Sequence, residues 1–238
     1  MFQKLDHSAT RRLGRLGIAT VQYQPFVELS SGRRVGAEAV ERTFQRGDAR
    51  REHARDETIL RLACIEATQW EHGSIAVNIT RAQLCGGRVL EQIGGALEHS
   101  GLAPERLELE LSEIILTDVD LDTLLTLSVV RDLGVGVVLD DFGTGLASLR
   151  MLKRLPLSGL KLDVSLVREL PGNAEDAAIA RAVIAAAHAL GLNVSAAGIE
   201  RENQLAALAG FGCDIGQGPL FAGMAVHGSR FAGALARL

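Results

Sequence analysis

The chain reads VGVVLDDFGTG at residues 135–145, an apolar run that ends in two adjacent carboxylates and a glycine-rich turn. Such a run predicts a buried strand that delivers acidic side chains to a loop. Neighbouring strand residues point to opposite sides, so Asp140 and Asp141 can face one site only where the strand ends and the backbone turns. Gly143 and Gly145 are expected to supply that turn. For this stretch alone, an ordinary strand exit with Asp141 as a cap is an equally good interpretation.

Outward from this stretch, strand-like and helix-like segments alternate along the chain. Further strands are predicted at Ile18–Leu29, Arg34–Val40, Ile75–Ile79, Leu107–Leu111, Leu160–Asp163, Asn193–Ile199 and Cys213–Gln217, the first two forming a hairpin. Helices are predicted at Glu57–Trp70, Val89–His99, Leu121–Leu133, Leu146–Leu155, Ala174–Leu190 and Asn203–Gly210. About eight strands with helices between most of them are typical of an α/β fold, here a (β/α)8 TIM-like barrel.

Length and composition limit the classes of protein that fit. The chain has 238 residues, 47% hydrophobic and 23% charged, which suits one barrel domain at 18–238 after a basic lead-in at 1–17. The net charge is −4, and the basic residues are scattered among acidic ones. A nucleic acid polymer is therefore not expected as a partner.

Cysteine usage and the apolar tracts indicate a cytoplasmic protein. Cys64, Cys85 and Cys213 are odd in number and have no metal-type spacing, so we expect reduced thiols. The first residues lack the apolar core of a secretion signal, and the longest apolar tract, Ala182–Leu192, is short and contains His188. Neither export nor a membrane association is indicated.

Polar residues recur at or near the carboxyl ends of the predicted strands. In a barrel these ends converge on the face that carries the active site. The residues are Glu38, Asn78, Glu110, Asp140, Lys161, Glu200 and Gln217. Taken singly, each has an ordinary interpretation as a turn residue, a solvated lysine or a satisfied polar group. Their shared placement favours one site.

Two further acids are predicted to have structural roles outside this site. Glu108 alternates with leucines and is expected to point outward from its strand. Glu113 is a candidate cap for the helix that follows.

The chemistry of this set suits a hard cation. Several carboxylates and an amide oxygen, with no His or Cys among them, favour Mg²⁺ or Mn²⁺ over Zn²⁺. Lys161 can orient a water, take up a proton or stabilise phosphate charge, and the Arg42 fork suits a phosphate. The pattern predicts metal-assisted phosphoester chemistry, in which two metal ions commonly clamp an in-line attack by water.

Seven short motifs follow one another along the chain: QP at 24–25, GAEAVER at 36–42, VN at 77–78, ELSE at 110–113, DDFGTG at 140–145, KLD at 161–163 and QG at 217–218. Together and in this order they resemble the EAL-domain family, which hydrolyses cyclic di-GMP. The resemblance runs from about residue 20 to about residue 225, nearly the whole chain. It implies a barrel whose first strand is antiparallel to the others.

The resemblance also implies roles for single residues. The first metal would be held by Glu38, Asn78, Glu110 and Asp140. Asp141 would serve the second metal, and Lys161 would contact the attacking water. Arg42, Gln24 and Gln217 would lie on the substrate side, with Arg42 anchoring a phosphate. Glu113 resembles the acid that steadies the loop after Asp141.

The sequence departs from the family pattern at residues 196–200, which read AAGIE where the family typically has Ala-Glu-Gly-Val-Glu. Ala197 replaces the first glutamate, and Glu200 matches only the second. Loss of such a base or ligand typically costs about 10²- to 10⁴-fold in rate. The segment between Arg42 and the helix at Glu57 is also shorter than usual.

We therefore expect a bacterial signalling domain that binds cyclic di-GMP and whose hydrolysis is lost or strongly reduced. The first alternative is an active Mg²⁺- or Mn²⁺-dependent phosphodiesterase giving linear pGpG, with Glu200 or a water in place of the absent carboxylate. The second alternative is a protein-binding regulator that does not use the nucleotide. Because the sequence shows no sensor or output domain, regulation is expected to come from a protein partner or from homodimerisation.

Overall fold

The computed structural model describes residues 20–42, 49–84, 87–113, 115, 119–145 and 149–224. Eight strands form a closed barrel in sequence order. They are β1 (Thr20–Glu28), β2 (Arg34–Arg42), β3 (Ser74–Ile79), β4 (Leu107–Ser112), β5 (Gly136–Phe142), β6 (Gly159–Leu162), β7 (Asn193–Ala196) and β8 (Ile215–Gly216). Strand β1 is antiparallel to both β2 and β8, and the other neighbouring pairs are parallel. The predicted barrel with an antiparallel first strand is confirmed.

Helices connect the strands on the outside of the barrel. They are α1 (Ala49–Thr68), α2 (Arg81–Leu84), α3 (Arg88–Ser100), α4 (Leu121–Asp132), α5 (Leu149–Leu152), α6 (Val164–Val167), α7 (Ala174–Ala189) and α8 (Glu202–Gly210), with 3-10 turns at Pro104–Arg106 and Pro219–Phe221. Helix α1 begins eight residues before its predicted start. The prediction at Leu146–Leu155 reduces to α5 among the described residues, because a turn precedes Pro156 and residues 146–148 lie outside the description.

The hydrophobic core lies between the strands and the helices. Leu107, Leu109 and Leu111 of β4 point outward and are 0–1% exposed. They pack in one continuous cluster with buried helix residues such as Leu60 of α1 and Ile184 of α7. This burial fixes the register of β4, because a slip of one residue would turn the leucines into the barrel.

The prediction that Glu108 points outward is wrong. Strand side chains alternate with a period of two, so Glu108 shares the inner face of β4 with Glu110. Gly136 on neighbouring β5 makes the room, since a Cβ atom there would lie 2.7 Å from Cγ of Glu108. Burial raises the pKa of Glu108, against a hydrogen bond from Ser74. Glu108 therefore belongs to the barrel interior.

Two of the three cysteines lie in the described part of the chain. Cys64 and Cys213 are free and buried, and burial raises the pKa of each thiol to about 12. Cys85 and the lead-in at 1–17 lie outside the described residues, so the boundary at residue 18 stays a prediction. In the described segments, every helix is too short or too polar to cross a lipid bilayer.

Candidate active site

A buried lysine forms the centre of the carboxyl-end face. The Nζ atom of Lys161, on β6, lies 2.9 Å from Oε2 of Glu38, 2.9 Å from Oε1 of Glu110 and 3.3 Å from Oδ2 of Asp140. The lysine is 3% exposed and the three acids 2–8%. Four strands thus bring one ammonium and three carboxylates into contact, as their strand-end positions predicted. These four residues are called the lysine cluster below.

Two amide side chains border the lysine cluster. Asn78, at the end of β3, donates from Nδ2 to Oε1 of Glu38 at 2.8 Å. Gln217, which follows β8, donates from Nε2 to Oε2 of Glu38 at 2.8 Å and to Oε1 of Gln24 at 3.2 Å. The structure therefore brings Gln24, Asn78 and Gln217 to the cluster, where the sequence placed them. Glu38 is the residue that all these donors share.

The lysine cluster carries one positive and three negative groups, and its pKa values reflect that imbalance. Burial acts to lower the pKa of Lys161, but the carboxylates of the cluster outweigh it and raise the pKa above its ordinary value. Burial acts to raise the pKa of Glu38, and Lys161 with the amide donors outweighs it, so the pKa is lowered. Burial and the two neighbouring acids raise the pKa of Glu110 well above its usual range. Lys161 is therefore a fixed cation.

The two adjacent aspartates are separated by a distortion of strand β5. The pairing of β5 with β6 shifts between Leu139 and Phe142, and Asp141 adopts a left-handed conformation with φ of 59°. Asp140 stays in the lysine cluster, and its Oδ1 accepts the backbone N–H of Asp141 at 2.8 Å. Asp141 is exposed beside it. The change of direction was expected at the glycines, but it occurs at Asp141 itself.

The loop after Asp141 is held by Glu113. The Thr144 hydroxyl donates a hydrogen bond to Oε2 of Glu113, which is only 1% exposed. Gly143 lies within this loop with φ of 115°, and a Cβ atom there would stand 2.4 Å from Leu166. A buried carboxylate that accepts from the loop is the arrangement that the family resemblance implied for Glu113.

No carboxylate from the exit of β7 bonds to the described residues of the lysine cluster. Ala197 follows the last residue of β7, and its backbone N–H donates to the Leu162 carbonyl at 3.1 Å. Glu200 lies four residues beyond the strand, since Gly198, with φ of 75°, turns the chain before the strand reaches its predicted end at Ile199. Glu200 is exposed, and its carboxylate makes no hydrogen bond or ion pair with any described residue.

Gln204 holds this exit loop and was missed by the sequence analysis. Its Oε1 accepts the backbone N–H groups of Glu200 and Arg201, both at 2.9 Å. Its Nε2 donates to the carbonyls of Val167 and Arg168 at 3.1 and 3.0 Å. An amide at the third position of a helix is a capping signal that could have identified it.

The donor set of the cluster fits a hard divalent cation. Carboxylate and amide oxygens are what Mg²⁺ and Mn²⁺ prefer, and Glu38, Asn78, Glu110 and Asp140 supply them from adjacent strands. In the described part of the chain, no three His, Cys, Asp or Glu side chains are already arranged around a metal position. The Lys161 ammonium instead contacts one oxygen of each acid in the cluster. The side chain of Arg42 lies outside the description.

Known proteins are similar to this chain in fold and in sequence. The sequence model of the EAL domain matches residues 8–223. The cyclic di-GMP phosphodiesterase NbdA of Pseudomonas aeruginosa is 40% identical over 172 residues, which are 70% of this chain and 22% of NbdA. A solved structure described as the PaMucR phosphodiesterase in complex with c-di-GMP superposes with a TM-score of 0.79 at 31% identity, over 90% of this chain and 95% of that one.

More distant structures share the barrel. Klebsiella pneumoniae BlrP1 with manganese and cyclic di-GMP has a TM-score of 0.76 at 24% identity, over 85% of this chain and 55% of that one, which shows the fold alone. The chain spans less than a third of the length of its curated relatives, for example 28% of protein y4lL of Sinorhizobium fredii. Because the family match covers nearly all of the barrel, the chain belongs to the EAL domain family of cyclic di-GMP phosphodiesterases and binders.

Proposed function

We propose that this chain is a cyclic di-GMP-binding signalling domain whose phosphodiesterase activity is lost or strongly reduced. One observation carries the proposal: the lysine cluster is assembled, while the exit of β7 beside it presents only the methyl group of Ala197. Binding needs phosphate anchors and an ordered cleft, whereas turnover needs interactions made only in the transition state. The hydrogen-bonded amides of Gln24 and Gln217 beside Glu38 support the first requirement, and Ala197 stands where the family pattern has a carboxylate that would serve the second.

The nucleotide would lie on the carboxyl-end face. Arg42 would bind a phosphate, and Gln24 and Gln217 would contact the ligand from β1 and the end of β8. The complex of PaMucR with c-di-GMP, on a barrel that superposes over 90% of this chain, supports this placement. Glu113 would keep the loop after Asp141 in position through Thr144.

A divalent cation would be held by Glu38, Asn78, Glu110 and Asp140, with Asp141 serving a second one. When bound, such cations activate a water and neutralise charge on the phosphate. Mg²⁺ and Mn²⁺ both suit these oxygens. Because Ala197 contributes no oxygen, we expect calorimetry to show one tight and one weak site. Two equally tight ions in the free protein would contradict this.

Lys161 would act as a donor in this site. Its ammonium donates to the carboxylates of Glu38, Glu110 and Asp140, which raise its pKa, so in this arrangement it is a donor that can hold a water or stabilise phosphate charge. Glu200 is the remaining acid of the β7 exit, and its exposed carboxylate is separate from the hydrogen bonds that organise the cluster. The general base therefore has no evident replacement among the described residues.

The proposal is tested by pairing a binding titration with a product assay. We expect cyclic di-GMP to bind in calorimetry with and without Mg²⁺ or Mn²⁺, and to be hydrolysed slowly or not at all. Ala197→Glu should raise metal-dependent hydrolysis and change affinity comparatively little. Lys161→Ala in both backgrounds is the control for hydrolysis at this site.

An active phosphodiesterase giving linear pGpG is the second candidate, favoured by the complete lysine cluster and by the 40% identity to NbdA. It would be established by a parent protein that hydrolyses cyclic di-GMP, gains nothing from Ala197→Glu and loses activity in Lys161→Ala. If cyclic di-GMP does not bind at all, the result would favour the second alternative, a protein-binding regulator that does not use the nucleotide. A cytoplasmic location and control by a partner or a homodimer complete the proposal, and the free buried thiols agree with it.

A further inference from the structure

A cavity of about 210 Å³ enters the barrel from the amino-end face, opposite the opening of the lysine cluster. Its mouth is lined by Gly134 and Asn193, near the starts of β5 and β7, and by the exposed Glu105. Its inner end is lined by Phe26 and Glu110, so the cavity ends beneath the lysine cluster. We call this space the amino-end cavity.

The amino-end cavity is open because glycines stand where a barrel usually has bulky side chains. Layers of branched residues commonly fill the interior of such barrels. Here β5 and β6 contribute Gly136 and Gly159 to the cavity wall. A Cβ atom would lie 2.7 Å from Cγ of Glu108 at the first position and 3.2 Å from the Asn193 carbonyl oxygen at the second. The glycines therefore keep the interior open and leave room for the Glu108 side chain.

Glu108 brings a carboxylate into this cavity without a paired cation. It accepts a hydrogen bond from Ser74, while the Lys161 ammonium is bonded to the three acids of the lysine cluster. Within the part of the chain that the structure describes, Glu108 makes no ion pair with a Lys, Arg or His side chain. A carboxylate held away from bulk water is stabilised when a cation pairs with it. A cation in the cavity would therefore stabilise Glu108.

The charges on the wall favour a cation as the occupant. Three glutamates line the cavity, at positions 105, 108 and 110. Arg131 lines it as well, but Nη1 of this arginine donates to the Val135 carbonyl at 2.9 Å. The negative groups outnumber the positive one, so an anion would be repelled.

The remaining wall has both polar and apolar parts. The Ser195 hydroxyl and the Asn193 side-chain amide line the cavity, and neither makes a hydrogen bond with any residue that the structure describes. The apolar part includes Phe26, Val138 and Ile215. A hydrated metal ion would place its waters against these apolar side chains, whereas a cation with an aliphatic chain matches both parts of the wall.

The size of the cavity limits the length of that chain. Its volume of about 210 Å³ corresponds to roughly seven waters at about 30 Å³ each, which leaves room for a primary amine of about four carbon atoms. A primary ammonium has three donors, and the wall offers acceptors on Glu108, Ser195 and Asn193.

We propose that the amino-end cavity is a binding site for a small primary alkylammonium compound. Its ammonium group pairs with the Glu108 carboxylate, and its aliphatic chain lies against Phe26, Val138 and Ile215. The cavity opens on the face opposite the lysine cluster. Binding there therefore does not depend on the proposed binding of cyclic di-GMP.

The test is an NMR titration of the isotope-labelled protein with n-butylammonium chloride at constant ionic strength. We expect the amide signals of Gly136, Gly159 and Ser195 to shift together and to saturate with a Kd of about 1 mM, an affinity within the range of so small a ligand. Glu108→Gln removes the charge with little change of shape and should weaken binding at least about tenfold. Glu91→Gln, at an exposed carboxylate of α3, is the matched control and should leave the titration unchanged.

Two further measurements separate the charge from the chain. The neutral alcohol 1-butanol has the same aliphatic chain, and it should bind the parent at least about tenfold more weakly than n-butylammonium. Ser195→Val narrows the cavity and leaves Glu108 in place. It should also weaken n-butylammonium binding, which keeps the test decisive if Glu108→Gln does not fold.

Four results would overturn the proposal. They are the absence of a saturable shift up to about 50 mM n-butylammonium, equal affinity of the alcohol, and binding that is unchanged in either Glu108→Gln or Ser195→Val. The fourth is that potassium chloride produces the same shifts at the same residues, which would show a site for inorganic cations.

Discussion

Replacing Lys161 by methionine should leave the fold strongly dependent on pH. The change keeps the length of the side chain but removes the ammonium that lies 2.9–3.3 Å from three buried carboxylates. Removing one partner of a buried ion pair costs about 3–5 kcal/mol, because a buried charge is left uncompensated. A domain has about 5–15 kcal/mol of stability in total, so the variant should lose a large part of it.

The pH dependence follows from what the remaining acids do. Without the ammonium, Glu38, Glu110 and Asp140 repel one another in a buried site. Burial already acts to raise the pKa values of Glu38 and Glu110, so without Lys161 the folded-state pKa values of these two groups rise above the unfolded values of about 4. Groups with raised folded-state pKa values bind protons preferentially in the folded protein. Their contribution to stability is therefore restored as pH falls toward the unfolded pKa values and lost as pH rises. The deficit of the variant should be largest at pH 8.

Urea denaturation followed by Trp70 fluorescence measures this directly. We expect Lys161→Met to be destabilised by about 3–5 kcal/mol at pH 8 and by clearly less at pH 5.5. Added Mg²⁺ should return part of the stability at pH 8, because a cation can replace the ammonium. Lys153→Met, at an exposed position, is the control. A deficit that is absent, or equal at the two pH values, would refute the electrostatic account of the cluster.

Three further predictions concern single positions. Arg42→Ala should weaken cyclic di-GMP binding about ten- to a hundredfold in calorimetry, since a charge-assisted hydrogen bond contributes about 1.5–3 kcal/mol. Gly143→Ala should destabilise the protein by about 2–4 kcal/mol and Gly145→Ala by about 1 kcal/mol. Gly143 and Gly145 both have positive φ, but only at Gly143 would the added Cβ atom lie 2.4 Å from Leu166. Equal melting temperatures of the two variants would contradict this explanation. Gln204→Ala should cost about 3 kcal/mol in urea denaturation through four lost hydrogen bonds, and an unchanged midpoint would show them to be dispensable.

Much of the fold was predictable because strand ends and polar residues coincide in the sequence. Apolar runs followed by a single polar residue located Asn78 and Lys161, and barrel closure brings such residues together without further information. The antiparallel first strand followed from the family resemblance and agrees with the hairpin pattern. The order of elements is a property of local patterns, which the sequence carries in full.

Other features depend on contacts between distant residues. Glu108 was predicted to point outward from its strand, yet the period of β4 and the small Gly136 place it inside. The backbone was expected to turn at Gly143 and Gly145, but the shift in pairing with β6 changes the backbone already at Asp141. Helix α5 is short because of Pro156, and β7 ends early because of Gly198. The sequence shows that such residues end a helix or strand, but it does not fix the last residue of the element to better than two or three positions.

The closure of the barrel has a consequence for how the protein opens. Strand β1 pairs with β2 over eight residue pairs but with β8 over only two, Val27 with Gly216 and Glu28 with Ile215. Strand β8 also pairs with β7 over only two residues, Ser195 with Ile215 and Ala196 with Gly216. Few hydrogen bonds therefore hold β8 at either edge, and we expect its amide hydrogen exchange to be the fastest among the strands. The hydrogen bond between Gln217 and Gln24 spans the edge between β1 and β8. A ligand that contacts both amides would therefore link β1 to the end of β8. We expect such a ligand to slow the amide hydrogen exchange of β8 before that of the other strands.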